Sequence, residues 1–156
     1  MIRYIHVYDL DGTLVDSLHR YRVTPDNRMD LDYWRQHEHL TPEDTLLPLA
    51  DAYKTDLANP EVYVVIATAR ACEPGDLTYQ YIDRHLGKPN KFIHRQGMSD
   101  QRKGAELKAK PLRSLRNLRQ FRNAVIRIFE DNLDYLIYLS WALNGKPVYI
   151  PSMQGF

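Results

Sequence analysis

The strongest constraint on this chain lies at its start. Tyr4-Ile5-His6-Val7-Tyr8, rich in β-branched and aromatic residues, stops at Asp9-Leu10-Asp11-Gly12-Thr13. Val, Ile and Tyr suit a buried strand. Two carboxylates at its end do not serve packing, because an unpaired charge is costly to take out of water. In an open α/β sheet the carboxyl ends of the strands form the ligand crevice. Asp9 is therefore expected in that crevice, and Asp11 just beyond it on a turn eased by Gly12. Two carboxylates there suit a hard cation such as magnesium, which takes oxygen ligands and keeps waters and substrate phosphate in its shell.

Two later runs end in the same manner. Glu61 to Ala67 reads as a buried strand followed by Thr68-Ala69-Arg70, and Ala124 to Phe129 as a strand followed by Glu130-Asp131-Asn132. Shorter strands are expected at Lys91–Arg95 and Lys146–Ile150. Helical patterns fall between them: a start within Leu14–Arg22, a short helix at Tyr33–Leu40, and a helix from Thr41-Pro42 to about Leu57. Further helices are expected from Asp76 to Leu86 with Gly87 as stop, from Arg102 to Asn123 with a break at Pro111, and from Leu133 to Leu143. Strands alternating with helices argue for an α/β, doubly wound, mostly parallel sheet of about five strands, with helices on both faces. His37-Glu38-His39 does not read as a metal site, because its imidazoles fall on different sides of a helix.

The stretch Tyr8-Asp9-Leu10-Asp11-Gly12-Thr13 resembles the first motif of the haloacid dehalogenase (HAD) superfamily, D-x-D-G-T after a hydrophobic strand. The resemblance implies a HAD-like Rossmannoid fold and a magnesium-dependent phosphatase. Asp9 would be the nucleophile that forms an aspartyl-phosphate, and Asp11 the general acid/base, its backbone carbonyl helping to hold the metal. Thr68 matches the second motif, in which a hydroxyl and neighbouring N–H groups, here those of Ala69 and Arg70, hold the phosphoryl oxygens. The third motif is a lysine, for which Lys108 fits best, with Lys110 and Lys103 as rivals. Glu130-Asp131 resembles the fourth, an acidic pair that completes the metal shell. It departs from the commonest pair in having Glu first, so Asp131 is the stronger ligand. Thr68-Ala69-Arg70 further resembles the T-x-R of polynucleotide kinase-phosphatase-type 3′-phosphatase domains, with Arg70 as a phosphate clamp.

At 156 residues the chain reads as one domain over 1–156. The intervals after the first motif and between the second and third leave no space for a large cap, only for a small helical lid within residues 21–40. The sequence has no apolar run long enough to span a bilayer and no signal-like start, which argues for a cytoplasmic protein with no membrane contact. The single Cys72 excludes an internal disulfide framework and a cysteine zinc site. Net charge is +1, yet Lys and Arg crowd Arg95 to Arg127 with only Asp100 and Glu106 against them. That asymmetry fits an anionic partner and equally a solvated helix face. The expected substrate is phosphorylated: a nucleic-acid 3′-phosphate end or a nucleotide, with a small-metabolite phosphomonoester as the alternative. A non-catalytic phosphate-binding module on the same fold is the remaining class. Protein partners are left open.

Overall fold

Five parallel strands form the centre of the protein, side by side in the order Lys91–Gln96, Val62–Cys72, Tyr4–Tyr8, Val125–Glu130 and Lys146–Tyr149. They are β1 (Tyr4–Tyr8), β4 (Val62–Cys72), β5 (Lys91–Gln96), β6 (Val125–Glu130) and β7 (Lys146–Tyr149); a separate two-stranded antiparallel ribbon pairs β2 (Val15–Asp16) with β3 (Thr45–Leu46). The computed structural model describes residues 1–154.

The first strand is buried on both faces, which is why its sequence is nearly continuous in apolar and aromatic residues. Ile5 and Val7 turn to one side, where Ala109, Leu112 and Leu115 of α4 (Gly104–Arg116) and Leu136, Leu139 and Leu143 of α5 (Leu133–Leu143) cover them. Tyr8 turns to the other, packing with Ala50 and Tyr53 of α2 (Leu49–Leu57) and with Tyr81 and Ile82, at the end of α3 (Leu77–Tyr81) and just beyond it. β1 lies between β4 and β6, with Tyr8 opposite both Ile66 and Phe129. That register brings Asp9 level with Ala67, next to Thr68 of β4, and with Glu130 at the end of β6. The crevice at the switch of strand order thus receives the reactive side chains of three neighbouring strands.

Several local expectations are corrected. Residues 14–22 form β2 and a 3-10 turn at Leu18–Arg20 rather than a helix. The short helix is α1 (Leu31–Gln36), started one turn earlier by Asp30, whose carboxylate caps the Tyr33 N–H. The helix expected from Thr41 begins only at Leu49. Thr41 spends its hydroxyl on the Glu38 carbonyl at 2.6 Å, and Asp44, extended at ψ 145°, is drawn into ion pairs with Arg20 and Arg70. β4 runs on to Cys72, so Thr68-Ala69-Arg70 lies within the strand, at an irregularity in its pairing with β5. Pro111 does not break α4, because the buried Leu107, Ala109, Leu112 and Leu115 hold the helix through the one hydrogen bond proline removes. Asp76 caps α3 through the Tyr79 N–H, and the helix widens over Ile82–Leu86 before Gly87 stops it at φ +95°.

Candidate active site

Asp9 leaves β1 with its N–H donated to the Phe129 carbonyl at 2.9 Å, which pins its backbone to β6. Its Oδ1 accepts from Lys108 Nζ at 3.0 Å, and the same ammonium donates to Glu130 Oε2 at 2.7 Å. Lys108 is 1% exposed, while Lys110 and Lys103 on the same segment are exposed. The phase of α4 therefore turns Lys108 alone of the three toward the sheet, and the ring of Tyr135 lies 5.2 Å from its ammonium. Glu130 Oε1 also accepts the Asn132 N–H at 3.2 Å.

Asp131 completes the cluster. Asp9, Glu130 and Asp131 each offer a carboxylate oxygen, and these atoms lie within 4.8 Å of one another. Asp131 Oδ2 is buried without a hydrogen-bond partner. Gly12 makes that approach possible: its φ is +77°, and a β-carbon there would run into the Asp131 carboxylate. Burial, then repulsion from Asp9, pushes Asp131 up to about 10 and Glu130 up to about 7. Burial alone would lower the Lys108 ammonium, but the charges of Asp9 and Glu130 outweigh it and hold it above the usual lysine range.

A second group of charges lies beside the first. Asp11 accepts Arg70 Nε at 2.8 Å and Nη2 at 2.6 Å, and Ser17 Oγ at 2.7 Å. Arg70 Nη2 also reaches Asp44 at 3.0 Å, and its Nη1 reaches Thr78 Oγ1 at 3.2 Å. Arg20 grips Asp44 with two bonds of 2.9 Å, and its guanidinium lies 4.0 Å from the Trp34 ring. Burial opposes the ionised form of Asp11, but Arg70 overrides it and holds the carboxyl below its ordinary value. Gln154 closes the chain of contacts, accepting the Ser17 N–H at 3.3 Å and donating to Ser17 Oγ at 2.8 Å. Thr68, buried next to this group, accepts the Arg70 N–H at 3.1 Å.

The two groups differ in charge balance. Asp11 and Asp44 are matched by Arg20 and Arg70, so that quartet is neutral when ionised. Asp9, Glu130 and Asp131, when all are ionised, are matched only by Lys108, which leaves two negative charges. A divalent cation supplies the missing charge, and the orphaned Asp131 oxygen supplies a ligand atom for it. The residues present therefore fit a hard divalent metal.

All eight residues singled out from the sequence, Asp9, Asp11, Thr68, Ala69, Arg70, Lys108, Glu130 and Asp131, line one cavity of about 680 Å³. Tyr21, Met29, Leu31 and Trp34 line it from the 21–40 segment, and Met98 and Arg102 from the loop after β5. Sequence reasoning missed Ser17, Arg20, Asp44 and Gln154. Asp44 gave a misleading signal, that of an acid in a helix first turn, and Gln154 gave none.

This parallel sheet, with its reactive side chains gathered at one end of the strands, is a HAD-like Rossmannoid fold. The structure is similar over 99% of its length to a chain of the Pnkp1/Rnl/Hen1 complex, with TM-score 0.67 and 16% identity, and it spans 47% of that chain. It is also similar to CbbY from Rhodobacter sphaeroides in complex with phosphate (TM-score 0.63, 15% identity, 98% of this chain and 88% of that one). A predicted phosphatase from Clostridium acetobutylicum gives TM-score 0.64 and 13% identity over 99% of this chain and 89% of that one. At such identities the likeness is one of fold. More particularly, the chain belongs to the bacteriophage T5 5′-deoxynucleotidase family, whose model matches residues 1–99. The match includes Asp9, Asp11, Thr68 and Arg70 and ends before Lys108, Glu130 and Asp131. No curated protein matches the chain. Among the described residues, no helix is long and apolar enough to cross a membrane.

Proposed function

We propose that this protein is a magnesium-dependent phosphomonoesterase that releases phosphate from a deoxynucleoside 5′-monophosphate through an aspartyl-phosphate on Asp9. The observation that carries the reading is the buried carboxylate cluster of Asp9, Glu130 and Asp131, two charges short of balance, opening into a cavity of about 680 Å³. Membership of a 5′-deoxynucleotidase family supports the substrate class.

Asp9, Asp131 and the Asp11 backbone carbonyl would hold the metal, with Glu130 joining directly or through a water. Bound there, magnesium neutralises the substrate phosphate and fixes its orientation. An Asp9 oxygen attacks phosphorus and the bond to the nucleoside 5′-oxygen breaks. Asp11 gives its proton to that oxygen, then takes one from the water that cleaves the aspartyl-phosphate and frees inorganic phosphate. Acid/base help of this kind is worth roughly 10² to 10⁴ in rate. Lys108 and the Thr68 hydroxyl offer fixed donors to the phosphoryl oxygens.

Arg70 holds Asp11 ionised, which suits the water-activating half of the cycle. An entering phosphate dianion competes for the same guanidinium and loosens its grip, so that Asp11 takes up the proton needed for the first half. The 21–40 segment acts as a small lid, supported by the Tyr21, Met29, Leu31 and Trp34 side chains that line the cavity.

A nucleic-acid 3′-phosphate is the second reading. It is favoured by the Thr68-Ala69-Arg70 pattern and by Arg95 and Arg102 at the cavity. The deciding assay is phosphate release, with and without magnesium, from deoxynucleotides, ribonucleotides, an aryl phosphate and a 3′-phosphorylated oligonucleotide. Magnesium-dependent release, fastest from deoxynucleoside 5′-monophosphates and lost in Asp9→Asn, is the expected result. Preference for the oligonucleotide selects the second reading, and preference for the aryl phosphate over every nucleotide selects a small-metabolite enzyme. No release from any substrate points to a binding module.

A further inference from the structure

Helix α5, Leu133-Asp134-Tyr135-Leu136-Ile137-Tyr138-Leu139-Ser140-Trp141-Ala142-Leu143, is apolar nearly all round. Such a helix is ordinarily buried on every side. Leu136, Leu139 and Leu143 do enter the core. The opposite face does not: Leu133 is 50%, Ile137 61% and Trp141 77% exposed. These three stand at i, i+4 and i+8, one stripe along the helix.

The stripe continues onto the sheet edge. Tyr149 of β7, itself exposed, pairs with Glu130, whose side chain turns to Lys108 of α4. Tyr149 therefore faces the side of the sheet that carries α4 and α5. These four residues expose on the order of 500 Å² per protomer. Doubled across a two-fold axis, that is about 1,000 Å², the size of a weak, reversible interface rather than a permanent one.

The polar groups at the ends of the stripe are of opposite sign, exposed Asp134 near the start of α5 and exposed Lys146 just past its end. A surface apolar in the middle with opposite charges at its ends is complementary to its own copy when that copy is turned around. We propose that this face binds a second copy of the chain, the two α5 helices crossing antiparallel about a two-fold axis at Ile137. Leu133 of one protomer then meets Trp141 of its partner, and the Asp134 end of each helix meets the Lys146 end of the other. An interface at the low end of the size range gives a dimer that dissociates in the micromolar range.

Sedimentation velocity from about 5 to 300 µM, spanning that range, tests this directly. The expected mass rises from 18.4 kDa toward twice that value, and an Ile137→Glu/Trp141→Glu double variant stays at 18.4 kDa across the series with unchanged circular dichroism. Both residues lie outside the catalytic cavity, so the variant keeps its phosphatase activity if the proposed reaction holds, and the two proposals fail separately. In a second experiment, Ile137→Cys treated with oxidised glutathione forms a disulfide-linked dimer, because a two-fold axis brings that position to its own copy; Cys72 is buried and does not compete. A wild-type protein that stays monomeric throughout, a double variant as dimeric as wild type, or an Ile137→Cys protein that does not cross-link would each overturn the proposal.

Discussion

Replacing Lys108 with methionine tests the charge balance on which the site is built. Methionine retains most of the buried stem, so packing changes little. The ammonium that lies 3.0 Å from Asp9 and 2.7 Å from Glu130 is lost, and the fully ionised cluster goes from two unbalanced negative charges to three. Breaking a buried ion pair by removing one partner costs about 3–5 kcal/mol. At 2–4 °C per kcal/mol for a domain of this size, the melting temperature in EDTA should fall by roughly 6–20 °C. The loss should grow with pH. Glu130 already titrates near 7 with Lys108 in place, and without it the carboxylates escape the penalty at low pH by staying protonated. Magnesium should restore much of the stability, since it binds the folded cluster and supplies the missing positive charge. Turnover should still fall by about 10² to 10³, the usual cost of losing one preorganised charge-stabilising donor. Thermal unfolding at pH 6 and pH 8, in EDTA and in magnesium, reads all of this, with Lys110→Met as the exposed control. A Lys108→Met protein that melts within 2 °C of wild type at pH 8 in EDTA, where a shift of at least ~6 °C is expected, would refute the charge argument.

The wild-type protein in EDTA should lose stability as pH rises. Glu130 and Asp131 have folded-state values of about 7 and about 10, above those of an unfolded chain, so their contribution is fully present near pH 4 and lost as pH passes through 7 and then 10. Melting curves against pH should slope downward over that window and flatten in magnesium. Gly12→Ala strains a left-handed turn at a cost of about 1–2 kcal/mol and drives a methyl group into the Asp131 carboxylate, so the magnesium concentration for half-maximal activity should rise at least about tenfold. A metal titration of activity checks it. Arg70→Lys loses the fork that joins Asp11, Asp44 and Thr78, and kcat/KM should fall by about 10² while the magnesium requirement stays close to wild type; steady-state kinetics at several metal concentrations separates the two.

What this sequence determined by itself is local. Alternation of apolar strands with helices, and carboxylates at the ends of Tyr4–Tyr8 and Val125–Glu130, follow from side-chain chemistry and short-range backbone preference, and they were legible as an α/β sheet with a crevice. Asp9 could be singled out because a strand has no packing reason to end in two carboxylates, and Thr68 and Glu130-Asp131 because they match the later motifs of the resemblance. The tertiary structure decided what depends on residues far apart in the chain. Lys108 is 99 residues from Asp9, and only the rotation of α4 against the sheet selects it over Lys110 and Lys103. Asp44 belongs to the site because Arg20 and Arg70 claim it, and with those two ion pairs the expected helix start ends as a short 3-10 turn with Asp44 extended at its close. Pro111 stays inside α4 because core leucines before and after it outweigh its local cost. In each case the deciding energy is electrostatic or packing energy between separate elements, and a sequence displays such energy only after the chain has brought those elements together.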